Sequence, residues 1–355
     1  MIVPESKEVI KIKKLNLLII VISLSWLLPV NSGIQPVINS TAAADDSFWT
    51  VAFYGDTRNG HEVHRQLLDM MQQEENIKFL VHVGDLVMYG GSADYWDEYQ
   101  EIVANVTLPV YTAIGNHERY TAFGTYNDNY TYYYEVTQAP GPWYSWDYGY
   151  IHFIVLSTEH YFDEDADNFT IAPEQLNWLL NDLNTTGKSF TVVSLHRPLY
   201  GLKTERINQT ESVRTALEPV FQQYGVDAVF QGHVHTFYAA ERGGINYFVT
   251  GGGGAPLHDM PHPGNLPTYQ PDNDTAIQAY QYTRMRVRPD NITIDAVLLD
   301  GSIPYSLVLD TGGDVLSEWK TSAPEMEVTG FTWLVIPLFI AVIPVAKKRK
   351  EKRNY

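Results

Sequence analysis

The sequence of 355 residues contains no cysteine. Disulfide bonds and thiolate metal sites are therefore excluded, and a bound metal would need oxygen and nitrogen ligands. Basic residues are also few, because 24 Lys and Arg stand against 42 Asp and Glu, a formal net charge of −18. Such a surface repels polyanions, which argues against nucleic acid as a partner. No internal repeat or clear linker interrupts residues 46–320, which predicts a single domain there.

Long apolar runs occur at the two ends of the chain. Basic residues precede the apolar stretch 15–30 and small residues follow it, which predicts a signal peptide or an uncleaved N-terminal anchor over residues 1–32. Residues 328–346 form a second apolar run, and the basic tail 347–355 follows it. This predicts one transmembrane segment with a cytoplasmic tail, or a sorting tail that is replaced by another anchor. We expect the domain 46–320 outside the cell membrane.

Glycosylation sequons support export. Roughly two would arise by chance in this composition, and the excess is typical of a secreted or membrane glycoprotein. The eight sequons begin at Asn39, Asn105, Asn129, Asn168, Asn184, Asn208, Asn273 and Asn291.

Several apolar runs end on residues that can bind metal. Runs of this kind are typical of buried parallel strands, whose carboxyl ends meet at one edge of a sheet. A carboxylate at a buried strand end is costly unless something pairs with it. The run 49–55 ends on Asp56, 79–84 on Asp85, 108–115 on Asn116 and His117, 190–195 on His196, and 228–231 leads to His233 and His235.

The segments between these runs show helical spacing of apolar residues, notably over 61–75, 95–103, 173–183 and 213–224. Strand, helix and strand in succession predict right-handed βαβ units. We interpret residues 280–309 as antiparallel strands and the Tyr-rich tract Tyr120–Trp146 as a loop. The whole pattern predicts an α/β body of two sheets with helices on the outer faces.

The strand-end residues form a set with metal-binding chemistry. Imidazole, carboxylate and amide ligands suit zinc, manganese or iron. Seven residues exceed the needs of one ion, whereas two ions sharing Asp85 would use them all. Such a pair of metals is typical of phosphoryl and ester hydrolysis, in which one ion polarises the phosphoryl oxygen and a bridging hydroxide attacks in line. The alternative is a set of polar core groups that satisfy one another.

At this point the sequence resembles the calcineurin-like metallophosphoesterases, and among them the purple acid phosphatase-like branch. The resemblance covers about residues 48–310 and implies the two-sheet, four-layer sandwich of that family, with a βαβαβ core. The order and spacing of the motifs make it specific. The motifs are Gly55-Asp56-Thr57-Arg58, Gly84-Asp85, Gly115-Asn116-His117-Glu118, Leu195-His196-Arg197-Pro198 and Gly232-His233-Val234-His235.

The resemblance also implies roles for these residues. His117 would act as a general acid on the leaving-group oxygen or as an electrostatic partner of the phosphate. The cofactors would be two divalent or trivalent ions of Fe, Zn or Mn. One would be held by Asp56, Asp85 and His235, and the other by Asp85, Asn116, His196 and His233.

The chain departs from the family at the first metal. Many members carry His two residues after the first Asp, where this sequence has Arg58, which stays protonated and cannot ligate. Purple acid phosphatases place a Tyr three residues after the shared Asp, where this chain has Met88. Tyr89, one residue further, is a candidate ligand, with His61 or His64 as weaker alternatives. Arg58 would then clamp a substrate phosphate or block the position.

The function predicted from the sequence is an exported, membrane-anchored, metal-dependent phosphoesterase acting on a small phosphorylated substrate. The alternative is a surface binding protein that keeps the fold with little catalysis, and the missing ligand at the first metal is its support. The identity of the ester and the oligomeric state stay open, because pocket walls lie in loops that the sequence does not place.

Overall fold

The computed structural model describes residues 48–121, 130–159, 161–163, 168–202, 207–259, 269–270 and 272–321. The predicted N-terminal signal or anchor, transmembrane segment 328–346 and basic tail all lie outside these residues. Within them, no helix combines the length and the apolar character needed to cross a membrane.

Helices and strands alternate along most of the described chain. The helices there are α1 (His61–Gln72), α2 (Ala93–Val103), α3 (Asn116–Arg119), α4 (Thr131–Thr137), α5 (Pro173–Thr185) and α6 (Ile207–Tyr224). The strands are β1 (Trp49–Tyr54), β2 (Ile77–His82), β3 (Val110–Thr112), β4 (Tyr144–Tyr148), β5 (Ile151–Val155), β6 (Tyr161–Asp163), β7 (Asn168–Thr170), β8 (Phe190–Leu195), β9 (Ala228–Gln231), β10 (Phe237–Arg242), β11 (Ile245–Thr250), β12 (Thr275–Ile277), β13 (Gln281–Val287), β14 (Asn291–Leu298), β15 (Tyr305–Asp310) and β16 (Val315–Lys320).

The first sheet has the order β16-β15-β14-β13-β1-β2-β3. Strands β1, β2 and β3 are parallel, and α1 and α2 form the crossovers between them. Helix α1 buries Leu67, Leu68 and Met71 on one side, as its helical spacing predicts. The βαβαβ core is therefore confirmed, and it brings the carboxyl ends of three strands to one edge.

The second sheet has the order β12-β10-β11-β9-β8-β5-β4. Strands β5, β8, β9 and β11 run parallel to one another, whereas β4 and β10 pair with β5 and β11 in the antiparallel sense. Helices α5 and α6 connect β5 to β8 and β8 to β9 along the chain. This sheet consequently presents a second set of carboxyl strand ends.

The two sheets pack face to face over a fully buried apolar core. The ring of Phe53 on β1 stacks on Phe230 of β9 with centroids 3.6 Å apart, and Phe79 meets Phe153 edge-on. Full burial of a side chain of this size contributes about 1.5–3 kcal/mol. Separate apolar clusters pack α1 and α2 on the outside of the first sheet, and α5 and α6 on the outside of the second. The predicted four-layer α/β sandwich is confirmed.

Three local predictions were wrong. The tract 120–146 is not a continuous loop, because it contains α4, where Tyr133 is buried and packs edge-on against Trp96. Burial of that ring stabilises a helix that its aromatic composition does not favour. The third apolar run forms only the short strand β3, and Asn116 already begins the helical turn α3. The third error is an omission, because strands β6, β7, β10, β12 and β16 were not predicted.

Candidate metal centre

The candidate ligands meet where the carboxyl ends of the two sheets face each other. Asp56 follows β1, Asp85 follows β2, and Asn116 opens α3 just after β3. From the second sheet, His196 follows β8, and His233 and His235 follow β9. Each of these side chains is at most 6% exposed. Their convergence is what the strand-end pattern predicts.

Two groups of ligand atoms arise there, and both contain Asp85. Asp85, His196 and His233 form one group, and Asp56, Asp85 and His235 form the other. Within each group the candidate atoms all lie within 4.8 Å of one another. Asn116 joins the group of His196 and His233, because its Oδ1 lies 3.1 Å from Nε2 of His196. We call the Asp56-Asp85-His235 group the first position and the Asp85-Asn116-His196-His233 group the second position.

Backbone conformation aims these side chains. Asp56, Asp85 and His233 have φ values of 58°, 59° and 69°, in the left-handed region that non-glycine residues rarely occupy. Each such residue costs about 1–3 kcal/mol and persists only where the surroundings enforce it. A glycine is needed at position 115 for close packing, because a Cβ there would lie 2.4 Å from Oδ1 of Asp85.

Hydrogen bonds to carbonyl oxygens fix the ring tautomers. His196 donates from Nδ1 to the carbonyl oxygen of Val83 at 2.9 Å, and His235 donates from Nδ1 to that of Pro256 at 2.7 Å. A carbonyl only accepts, so each Nδ1 carries the proton. In each neutral ring the lone pair on Nε2 then faces the centre, as a metal-binding imidazole requires.

Asp85 is buried among positive and polar groups. Its Oδ1 accepts the backbone N–H of His117 at 2.9 Å and lies 3.2 Å from Nε2 of His196, and its Oδ2 accepts from Nε of Arg58 at 3.2 Å. Burial opposes its ionisation, but His196, His117 and Arg58 together hold the pKa of Asp85 well below its usual range. This side chain is therefore a carboxylate at any ordinary pH.

His117 lies beside this carboxylate and is not in either ligand group. Its Nδ1 donates to the carbonyl oxygen of Met88 at 2.8 Å, and its Nε2 lies 3.9 Å from Oδ2 of Asp85. Burial lowers the pKa of His117, and the nearby Asp85 charge opposes that effect. The ring is thus held with Nε2 on the side of Asp85.

Arg58 reaches the first position. Besides its bond to Asp85, its Nη2 lies 3.3 Å from Nε2 of His235, and its Nη1 lies 3.8 Å from the sulfur of Met88. The guanidinium has no lone pair and stays protonated. The second position offers four ligand groups and fits a metal ion, whereas the first offers three with a fixed cation against two of them.

Comparison with known proteins agrees with this geometry. Residues 50–237 match the sequence profile of the calcineurin-like phosphoesterase family. The chain belongs to that family. It is 27% identical to mouse acid phosphatase type 7 over 292 residues, covering 70% of this chain and 64% of the relative. It is 30% identical to purple acid phosphatase 15 of Arabidopsis thaliana over 178 residues, covering 45% of this chain and 32% of the relative.

A solved structure shows the same fold. Purple acid phosphatase PPD1 from yellow lupin seeds superposes with a TM-score of 0.59 at 19% identity, covering 75% of this chain and 54% of that one. The chain is thus similar to purple acid phosphatases and to an acid phosphatase over these stretches. The chain spans about a third to two thirds of the length of the two curated relatives.

Two of the alternative ligands of this calcineurin-like chain, His61 and His64, lie outside both groups. The ring of Tyr89 packs edge-on against Tyr95 with centroids 5.3 Å apart, and its role as a ligand stays a prediction. His61 lies 3.8 Å from Glu98. His64 is buried, and burial, with smaller effects of His61 and the nearby Arg65, lowers its pKa to about 3.

Two residues near the centre were missed by the sequence analysis. The Glu118 carboxylate accepts backbone N–H groups of Asp85, Leu86, Val87 and Gly115. His258 stacks on His235 with ring centroids 3.9 Å apart, and its Nδ1 accepts the backbone N–H of His235 at 3.1 Å. Glu118 stands in a recognised motif, so a role there was open to prediction, whereas His258 follows no strand-end pattern.

Proposed function

We propose that this chain is a metal-dependent phosphoesterase that hydrolyses phosphate esters at the centre around Asp85. The observation that carries the proposal is the pair of ligand groups sharing one buried carboxylate, at the strand ends of a calcineurin-like fold. The acid phosphatase relatives support the same reaction class. Metal ions in such a site polarise the phosphoryl oxygen and activate water as the nucleophile.

The protein's own groups would divide the remaining work. Asp85, Asn116, His196 and His233 would hold iron, zinc or manganese at the second position. To act as a general acid on the leaving-group oxygen, His117 would have to be the imidazolium and release the proton on Nε2, because its Nδ1 donates to the carbonyl oxygen of Met88. An alternative role for His117 is electrostatic contact with the phosphate.

We also propose that the protein is exported and held at the cell membrane with the domain on the outer face. The support is in the sequence, from the terminal apolar runs with their basic flanks and from the sequons. An endoglycosidase should increase the gel mobility of the native protein, and alkaline carbonate should leave it in the membrane fraction. Release of an unmodified chain by carbonate would contradict this location.

The alternative, a binding protein with little catalysis, has one structural observation in its favour, namely the contact of Arg58 with Asp85 and His235. Hydrolysis separates the two functions. The full chain, freed of metal with a chelator and supplied with Mn²⁺, Zn²⁺ or Fe²⁺, should hydrolyse a chromogenic phosphate ester. Activity should be lost in His196→Ala and retained in the matched variant His61→Ala. A metal-loaded wild-type chain that hydrolyses none of a panel of phosphate monoesters and diesters would contradict the proposal.

A further inference from the structure

The first position differs from the second in the groups that surround it. Asp85 and His235 belong to the first position, and both are in contact with Arg58. The Arg58 side chain is only 13% exposed, so solvent screens its charge poorly. A cation that is part of the chain therefore already lies against two of the three ligands.

The third ligand of the first position is also partly committed. Both carboxylate oxygens of Asp56 accept the backbone N–H of His233, at 3.1 and 2.9 Å. That bond steadies the left-handed backbone of His233, which belongs to the second position. Asp56 thus supports the second position even when it ligates nothing.

The second position is less affected by fixed cations, although Arg58 contacts its shared ligand Asp85 and Nη1 of Arg197 lies 3.4 Å from Nε2 of His233. His196 directs Nε2 inward, because its Nδ1 donates to the carbonyl oxygen of Val83. The Oδ1 of Asn116 and Nδ1 of His233 lie 3.1 and 3.2 Å from that Nε2. Four ligand groups from both sheets converge there. Arg197 contacts Nε2 of His233 rather than Nδ1, and its charge is paired with the buried Glu159, to which its Nη2 donates at 2.8 Å.

We propose that the Arg58 guanidinium takes the place of the first cation, so that the chain holds one tightly bound metal ion, at the second position. This inference rests on the proposed function and sets the ion count at one, where the family resemblance implied two. Arg58 would balance the Asp85 charge and use its remaining N–H groups to bind a phosphate oxygen, as guanidinium groups commonly do. A second ion would have to displace the guanidinium against its charge.

Metal titration of the full chain tests this without reference to turnover. After chelation, the wild-type chain is titrated with Mn²⁺ alone and its bound metal is measured by equilibrium dialysis and elemental analysis. We expect about one tight ion per chain, with any second ion bound at least roughly 100-fold more weakly because of charge repulsion. Two ions of similar affinity in the wild-type chain would overturn the proposal.

Variants of Arg58 then assign the effect to this side chain. Arg58→His supplies an imidazole and removes the fixed charge, so a second ion should bind tightly. Arg58→Lys keeps the charge and should still bind one, and Arg65→His adds a histidine on the exposed face of α1 as a matched control. Unfolding midpoints show that each variant is folded. A folded Arg58→His that still binds a single ion would overturn the role of Arg58.

The ion count and the reaction are separable. One tight ion without any hydrolysis would contradict the proposed function and leave the role of Arg58 intact. Hydrolysis that rises only as a second, equally tight Mn²⁺ binds would support the proposed function and contradict the role of Arg58.

Discussion

Glu118 holds the backbone of Asp85, the one residue that both candidate metal positions share. The Oε2 atom of Glu118 accepts the N–H of Asp85 at 2.9 Å, and its Oε1 accepts the N–H of Leu86 at 2.8 Å. Oε2 also accepts the N–H of Gly115 at 2.6 Å. Glu118 therefore joins the loop after β2 to the start of α3, and it fixes Asp85 through hydrogen bonds to the backbone.

The first prediction is that Glu118→Gln destabilises the fold and weakens metal binding together. A glutamine side chain has one acceptor oxygen, so the two N–H groups at the other oxygen lose their partner, at a cost of about 2–6 kcal/mol. Urea unfolding and Mn²⁺ titration measure the two effects. Glu101→Gln, on the exposed side of α2, is the matched control. Unchanged unfolding in Glu118→Gln would mean that these bonds contribute nothing.

The second prediction concerns His117→Ala. Metal content should stay near that of the wild type, because His117 belongs to neither ligand group. The turnover number should fall by roughly 10²–10⁴, the usual effect of losing a general acid. Esters with good leaving groups need no proton and should be affected least. An equal loss for all leaving groups would favour the electrostatic role instead.

The third prediction concerns His152, far along the chain from the ligands. Its Nδ1 lies 2.7 Å from Oδ1 of Asp147 on β4, and its Nε2 lies 2.9 Å from Oδ2 of Asp182 on α5. The two contacts link β5 to both of these elements. Burial lowers the pKa of His152, but bonds to the two carboxylates outweigh this and raise it. The ion pairs should therefore stabilise the fold fully below the unfolded-state pKa of about 6.5, and the gain should disappear as pH rises through the folded-state pKa.

Unfolding free energies measured by urea between about pH 5.5 and pH 9 check this. The wild type should lose stability relative to His152→Gln as the pH rises, because the variant has no proton to lose at that site. Lys188, which lies 3.6 Å from Asp147, is present in both proteins, so its contribution cancels in the comparison. His61→Gln, which removes a half-exposed imidazole, serves as the control. Parallel curves for wild type and His152→Gln would contradict the prediction.

The main features of the fold were predictable because they depend on local patterns. Apolar runs with intervening helical spacing were enough for the βαβαβ core, since period and length separate buried strands from helices. Helix α4 was not predictable in this way, because its sequence favours no helix and its stability comes from Tyr133 packing against Trp96 across the fold. The true end of β3 was missed because Asn116 begins a helical turn.

The candidate ligands were predictable for a related reason, since each follows an apolar strand directly. The contacts that distinguish this centre were not. Glu118 acts on Asp85 across 33 positions of sequence, and Arg58 reaches His235 across 177. The first contact depends on the pairing of β2 with β3 and the second on how the two sheets face each other, and no local pattern encodes either. The sequence left two roles for Arg58, and its contacts with Asp85 and His235 now favour occupation of the first position.

The most direct measurement of the central claim is metal content and phosphate-ester hydrolysis of Asp85→Asn beside the wild type. Both proteins are stripped with a chelator and titrated with Mn²⁺. In the wild type, hydrolysis should rise in proportion to bound metal. Asp85→Asn should lose tight binding and hydrolysis together, because the amide removes the charge that both positions use. Retention of tight metal and of hydrolysis in Asp85→Asn, or wild-type hydrolysis that survives the chelator, would contradict a metal centre built on Asp85.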